Sequence, residues 1–347
     1  MREKKEGSVE ASYKVIEAGD YADSFDDKQA FALDVLVGLS ETRKILSSKH
    51  FYDERGSELF RAITRLPEYY LADCEIEILR KHKDRIIERV GKEPFNLVEL
   101  GAGFGRKTKI LLKDLKDSGL DFNYVPIDIS ESAMKELVES CSELFPDLST
   151  SGLVSEYFAG LKWLNNRYQR RNFVIFLGSS IGNFTHAEAR IFLRNLWSSL
   201  KADDLAMIGF DLKKDIELLL AAYNDSQGVT AEFNLNVLRR INDELGGEFD
   251  LKKFRHFGTY DVLSGAMESY LVSLERQTVY VRDIGRTFEF APWEPIHTEY
   301  SYKYLVEDID RLSGETGFTV EEHLFDSRTF FADSIWRARK LANNGES

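Results

Sequence analysis

Cysteine is nearly absent from this chain: Cys74 and Cys141 are the only two among 347 residues, far apart and at no metal-ligand spacing. That excludes a disulfide framework and a cysteine metal site, and it leaves two thiols suited to burial. No apolar run approaches the length of a membrane span. The opening Met-Arg-Glu-Lys-Lys-Glu is charged with no apolar segment behind it, so the expectation is a cytoplasmic protein without a membrane partner. Positive charge is in deficit too: 46 Lys and Arg against 59 Asp and Glu give a formal net charge of −13, which argues against a nucleic-acid partner. Repeats and low-complexity segments are also missing. What remains is an ordinary globular composition, 43% hydrophobic and 30% charged. The length exceeds a usual single core, so one domain with an appended lobe, or two domains, is expected.

The most informative stretch is Phe95-Asn-Leu-Val-Glu-Leu-Gly-Ala-Gly-Phe-Gly-Arg-Lys-Thr108, an apolar strand that runs into Gly101, Gly103 and Gly105 and then a helix pattern. Glycines there let the backbone bend tightly and approach a ligand, and the following helix offers unpaired N–H groups. It is not a dinucleotide fingerprint, because position 106 is Arg where a third glycine is required. Glu99-Leu-Gly-Ala-Gly-Phe-Gly105 instead resembles the first motif of class I S-adenosylmethionine (SAM) methyltransferases; the bland alternative is a plain strand exit. Asn123-Tyr-Val-Pro-Ile-Asp-Ile129 reads as the next buried strand. It puts Asp128 at the carboxyl end, where doubly wound sheets hold the carboxylate for ribose hydroxyls, unless it is merely a solvent-facing Asp.

From residue 74 onward strands and helices alternate: helix 74–90, strand 95–100, helix 106–117, strand 123–129, helix 131–144, strand 152–157, strand 173–177, helix 186–201, strand 204–211. This implies a parallel sheet with helices on both faces, an α/β fold. Residues 24–47 carry helical periodicity. After 211 the pattern changes to helices near 213–224 and 230–244 and an antiparallel-looking block over 266–281, 286–290 and 298–301. A helix over 303–313 and strands 318–325 and 330–337 close the chain. Residues 1–13 and 341–347 read as flexible ends.

A competing motif follows strand 173–177. Gly178-Ser-Ser-Ile-Gly182 matches the Gly-x-Ser-x-Gly elbow of serine hydrolases, with Ser180 as nucleophile, Asp211 as acid and His297 or His323 as base. Against it, the chain has no His-Gly-Gly run for an oxyanion loop, and this reading gives Gly101–Gly105 and Asp128 nothing to do.

Five further segments resemble the histidine Nα-methyltransferase family of the ergothioneine pathway over residues 30–337. They are Phe51-Tyr-Asp-x-x-Gly-Ser-x-Leu-Phe60, Ile63-Thr-Arg-Leu-Pro-Glu-Tyr-Tyr70, Phe176-Leu-Gly-Ser-Ser-Ile-Gly-Asn183, Gly228-Val-Thr-Ala-x-Phe-Asn234 and Thr298-Glu-Tyr-Ser-Tyr-Lys-Tyr304. The resemblance implies a Rossmann-like, seven-stranded class I sheet as the SAM domain (74–212 and 303–340) and a second α+β lobe that holds the amino acid (14–73 and 213–302). The implied reaction converts L-histidine to its trimethylated betaine, hercynine, with S-adenosylhomocysteine as product, in a monomer that needs no metal and no covalent catalytic residue. Asn183 and Tyr223 resemble the pair that hydrogen-bonds the substrate carboxylate. Thr230 resembles a residue near the α-amine, Glu299 and Ser301 the imidazole readers, and Tyr69 a pocket wall. On the cofactor side the match implies Tyr52, Gly101, Gly103, Lys107, Asp128, Glu156, Tyr157, Gly178 and Ser179.

The chain departs from the family at the cofactor turn, where Ala102 and Phe104 replace two small hydroxylic residues. It departs again at Glu156-Tyr157, which stands for an Asp-Phe pair, and at Ser269, where bacterial members often have a large apolar wall. These departures keep open an alternative substrate, another aromatic amino acid, or methylation at a ring nitrogen of histidine.

Overall fold

Unbroken apolar runs become the inside of a parallel sheet, because strands covered on both faces have no solvent side to pattern. The computed structural model describes residues 12–15 and 27–340. The ends expected to be flexible, 1–11 and 341–347, and the start of the 24–47 helix lie outside the described residues. The strands are β1 (Ser12–Val15), β2 (Phe95–Leu100), β3 (Phe122–Asp128), β4 (Ser151–Val154), β5 (Arg171–Phe176), β6 (Leu205–Asp211), β7 (Phe254–Asp261), β8 (Ala266–Ser273), β9 (Gln277–Val281), β10 (Arg286–Phe290), β11 (Pro295–Tyr302), β12 (Phe318–Phe325) and β13 (Phe331–Ala338). The helices are α1 (Asp27–Ser40), α2 (Glu54–Ile63), α3 (Tyr70–Lys81), α4 (Lys83–Val90), α5 (Thr108–Asp117), α6 (Glu131–Leu144), α7 (Tyr157–Arg167), α8 (His186–Ser199), α9 (Ile216–Tyr223), α10 (Val229–Leu245) and α11 (Val306–Thr316).

The described chain forms two compact units. The first contains residues 12–15, Leu71–Leu212 and 304–340 and is built on one sheet in the order β1-β4-β3-β2-β5-β6-β13-β12. Strands β1 to β6 run parallel, and β13 is antiparallel to both β6 and β12. This is the expected α/β, Rossmann-like arrangement, with eight strands where seven were expected. The extra strand is β1, whose Ser12 N–H donates to Thr150 O at 3.2 Å and whose residues pair along the outer edge of β4. All four of its side chains are exposed, so no alternating apolar pattern announced it. Residues 12 and 13 are thus in a strand rather than a frayed end, and residues 14 and 15 pair within this sheet rather than in the second lobe. The stretch read as helix 74–90 is two helices meeting at His82.

Strand β2 is buried at all six positions. Its Asn96 joins a polar rung across the sheet: Asn123 Nδ2 donates to Asn96 Oδ1 at 3.2 Å, Asn96 Nδ2 to Asn172 Oδ1 at 3.1 Å, and Asn172 N–H to Asp204 Oδ1 at 2.8 Å. Satisfied amides of this kind fix the register of buried strands that apolar packing alone leaves loose.

The second unit contains residues 27–70 and Lys213–Lys303. It carries the antiparallel sheet β11-β8-β7 and the hairpin β9-β10, around a core that includes Phe31, Val35, Phe51, Phe233, Val237, Ile241, Leu271 and Ile296. Strand β7 was absent from the sequence reading. Within the Phe51-Tyr-Asp-x-x-Gly motif, Asp53 caps α2 by accepting the Gly56 N–H at 2.7 Å and the Asn236 amide at 2.7 Å. A Cβ at Gly56 would lie 1.6 Å from Phe51 O, which is why that position is glycine. Among the described residues no helix is long and apolar enough to cross a membrane.

Candidate active site

Strand β2 lies between β3 and β5, so the chain leaves it first to one side and later to the other. The carboxyl ends of β2 and β5 flank the resulting switch point, where open α/β sheets hold ligands. Both ends carry the glycine-containing segments singled out in the sequence. Gly101 and Gly103 adopt φ of 72° and 50°, a region that a side chain disfavours. A Cβ at Gly101 would sit 3.0 Å from the Tyr157 phenol oxygen, whereas one at Gly103 would meet nothing within 4 Å. The turn is braced from β3: Asp128 Oδ2 accepts the Gly103 N–H at 2.8 Å and Oδ1 accepts the Ser130 N–H at 2.9 Å. Burial raises the Asp128 pKa, and the backbone donors from Ser130 and Gly103 oppose the rise. One β2 residue before the turn, Glu99 accepts from the Thr108 and Tyr124 hydroxyls, and burial pushes its carboxyl up to about 7.

Lys107 precedes α5 and forms an ion pair with Glu75 of α3, whose Oε1 accepts the Gly178 N–H at 2.8 Å. The two segments read from the sequence as the cofactor side, 101–107 and 178–179, therefore share one carboxylate. Ser179 has φ of 58° and its hydroxyl accepts the Asp211 N–H at 3.0 Å. Glu156 is exposed just before α7, and Asn183 is half-buried at the end of the short helical turn Ser180–Asn183.

The hydrolase reading fails on this geometry. The strained, left-handed residue of a nucleophile elbow is the nucleophile itself, but here it is Ser179, and Ser180 Oγ donates to Leu177 O at 3.1 Å. His323 Nδ1 meets Ser334 Oγ at 2.9 Å and its Nε2 lies 3.1 Å from Asp310.

In the second unit, Tyr52 and Tyr69 rim an aromatic cluster. Tyr52 packs edge-on to Phe233 at 5.6 Å between ring centroids, and Phe60 packs on Phe233 at 5.8 Å and on Tyr69 at 6.3 Å. Glu299 and Ser301 lie two apart on β11, beyond the irregularity between His297 and Glu299, so both point to one face. Burial pushes the Glu299 carboxyl up to about 7, with the Lys303 charge acting against it. Directly across from Glu299 is Ser269, buried, with no partner for its Oγ among the described residues. The Thr230 N–H donates to Asp225 at 2.7 Å, and the buried Thr230 hydroxyl lies beside the same carboxylate, which, against burial, its hydrogen bonds hold below the usual range. Buried polar atoms are ordinarily paired, so the Ser269 hydroxyl is one that a polar ligand would satisfy. Tyr223 Oη donates to Ser301 Oγ at 2.6 Å, and the buried Lys303 Nζ stands 2.9 Å from each of those oxygens.

Three ionisable residues escaped the sequence reading. Lys303 lies two beyond Ser301 inside a quoted motif, and the period-two rule continued by one step would have found it. Glu75 and Asp333, a carboxyl group wholly buried in β13, carry no local signal.

An adenosyl cofactor fits the first unit's residues: a carboxylate at the end of β3, a glycine whose Cβ would fill the space before Tyr157, and an ammonium for the ligand's own carboxylate. The profile of a family described as histidine-specific methyltransferase, SAM-dependent, matches residues 31–338. The chain is 36% identical to the histidine N-alpha-methyltransferase of Mycolicibacterium smegmatis over 83% of this chain and 89% of that one. It is 38% identical to the protein of the same name from Mycobacterium tuberculosis, over 79% and 84%. Ergothioneine biosynthesis protein 1 of Schizosaccharomyces pombe is 32% identical over 74% of this chain and 34% of its own length.

Proposed function

Because the chain belongs to the family of histidine-specific, SAM-dependent methyltransferases, we propose that it methylates the α-nitrogen of L-histidine three times, giving hercynine for ergothioneine biosynthesis. The observation that carries this reading is the face of β11 in the second unit. There a carboxyl group, Glu299, and a hydroxyl, Ser301, lie two residues apart, with the unpartnered Ser269 hydroxyl opposite. Two hydrogen-bonding groups on one face suit the two nitrogens of an imidazole. Tyr223 serves the substrate carboxylate, Thr230 Oγ1 faces the amine through water, and Tyr69 walls the ring. The enzyme works as a cytoplasmic monomer on the free amino acid.

S-adenosylmethionine supplies an electrophilic methyl group on its sulfonium. Everything else is positioning: the amine lone pair must be held about 3 Å from that carbon and in line with it, and no nucleophilic side chain is needed. An α-ammonium has no lone pair, but with a pKa of roughly 8 its deprotonation at about pH 7 costs about 1.4 kcal/mol. Three successive transfers require the amine to rotate between steps, so the ring and carboxylate are clamped while the amine corner stays roomy.

The test is product analysis by mass spectrometry with SAM and L-histidine, preceded by a thermal-shift screen of the twenty amino acids. A ligand at a hundred times its Kd stabilises by about 2.7 kcal/mol. Methyl groups on a ring nitrogen, or a stronger shift with tryptophan than with histidine, would falsify the reading.

A further inference from the structure

Two buried carboxyl groups that methyl transfer does not use meet at the cofactor turn. Glu75 and Asp333 are both fully buried. Glu75 accepts from the Lys107 ammonium and from the Gly178 N–H at 2.8 Å. Asp333 pairs in register with Gly209 of β6, and a Cβ added to Gly209 would lie 2.6 Å from Glu75 Oε1, so the Glu75 carboxyl fills the space in front of that strand pair. No donor reaches either Asp333 oxygen among the described residues. The charged groups that face Asp333 are Glu75 and Lys107.

One ammonium cannot neutralise two carboxylates. An ionised Asp333 would be a buried anion with no hydrogen bond beside a second anion, and a group so placed takes up a proton instead. Two carboxyl groups sharing a site hold one proton between them. Once protonated, Asp333 becomes a donor and Glu75 is the acceptor beside it. We propose that Asp333 is a neutral acid whose O–H donates to the Glu75 carboxylate. This one-proton pair is then the positioning element that aims Lys107 and the Gly178 N–H at the amino-acid end of the cofactor. Burial and the Glu75 charge both raise the Asp333 pKa. The inference rests on reading Lys107 and Gly178 as cofactor residues. The α-carboxylate is the one anion of S-adenosylmethionine, so a displaced Lys107 ammonium is felt there and not at the adenosine.

The experiment titrates the full chain, as wild type, Asp333→Asn and Asp333→Leu, with S-adenosylhomocysteine and with 5′-methylthioadenosine, which keeps the adenosine and sulfur but lacks the amino-acid group. The Asn amide still donates to Glu75, so its S-adenosylhomocysteine affinity stays within about threefold of wild type. The Leu variant loses roughly tenfold or more for that ligand and less than about threefold for methylthioadenosine. Equal losses for both ligands, no loss in a folded Leu variant, or an Asn variant as weak as Leu overturns the proposal. Infrared spectroscopy decides independently of ligand and of whether Leu folds. The ligand-free wild type minus Asp333→Asn difference spectrum at neutral pH shows a protonated-carboxyl C=O band beyond those that Glu99 and Glu299 give to both proteins, and its absence from the difference overturns the assignment. If wild type binds neither adenosine ligand, the cofactor reading falls while the infrared band still decides the pair.

Discussion

The Tyr223 phenol and the Ser301 hydroxyl are 2.6 Å apart, and the Lys303 ammonium touches both. The family resemblance assigns these hydroxyls to opposite ends of histidine, one to the carboxylate and one to the ring. Here they share a hydrogen bond and a cation, so a ligand that engages one repolarises the other. Lys303 also brings a positive charge to a site whose carboxylate partners, read from the sequence, were neutral.

Lys303→Met keeps most of the side-chain volume and removes the charge. Losing a charge-assisted hydrogen bond is worth about 1.5–3 kcal/mol, so the histidine KM rises roughly ten- to hundredfold while SAM affinity stays within about threefold. Steady-state kinetics with calorimetry measures both. An unchanged KM in the folded variant removes Lys303 from the site.

Glu299→Ala tests recognition of the ring. A site built to hydrogen-bond a substrate group rejects analogues that lack it, since its own polar atoms would be left unpaired at about 1–3 kcal/mol each. Wild type therefore prefers histidine strongly over phenylalanine, tyrosine and tryptophan. In the variant histidine turnover falls and the gap to tryptophan narrows, helped by the added volume. Full histidine activity with unaltered selectivity would show that Glu299 does not read the ring.

Asp128→Ala removes a proposed ribose acceptor and also the brace on the Gly103 and Ser130 N–H groups. SAM affinity drops by about 1.5–3 kcal/mol, roughly ten- to hundredfold, and histidine binding changes less than about threefold. Asp128→Asn keeps one carbonyl oxygen and falls between. Calorimetry that finds wild-type SAM affinity in the Ala variant ends the cofactor assignment.

Glu99 makes stability depend on pH. Its folded carboxyl titrates at about 7 against an ordinary value of 4.5, so the folded state holds this proton more tightly than the unfolded chain does. The contribution is complete below 4.5 and is lost as pH rises through about 7, at about 1.4 kcal/mol per pH unit within that window. Glu99→Gln imitates the protonated form. The stability of wild type relative to this variant therefore declines by on the order of 2–3 kcal/mol across the window, read from urea melts at both ends. A difference that does not change with pH shows that Glu99 does not titrate there.

Much of the first unit was legible because its signals are local. A run such as Leu97-Val-Glu-Leu100 announces a buried strand, glycines at spacing two announce a turn that needs positive φ, and Asp128 declares itself by standing at a strand end. The second unit was less legible. Strand β7 alternates buried and exposed positions over Phe254 to Gly258, but Arg255, His256 and Gly258 blur that alternation in sequence. Strand β1 has no buried face to pattern at all.

The sequence by itself determined the α/β class, the glycine turn with its Asp128, and the family, since each depends on residue types at fixed short spacings. Only the tertiary structure decided which groups share charge and protons. Glu75 reaches Gly178 across 103 positions, and Lys303 reaches Tyr223 across 80. Such pairs follow from how strands and helices pack, and no periodicity records them. The protonation of a buried carboxyl group is likewise a property of its surroundings: Glu99 and Glu299 are two ordinary glutamates in the sequence, and desolvation in the folded chain is what brings both up to about 7.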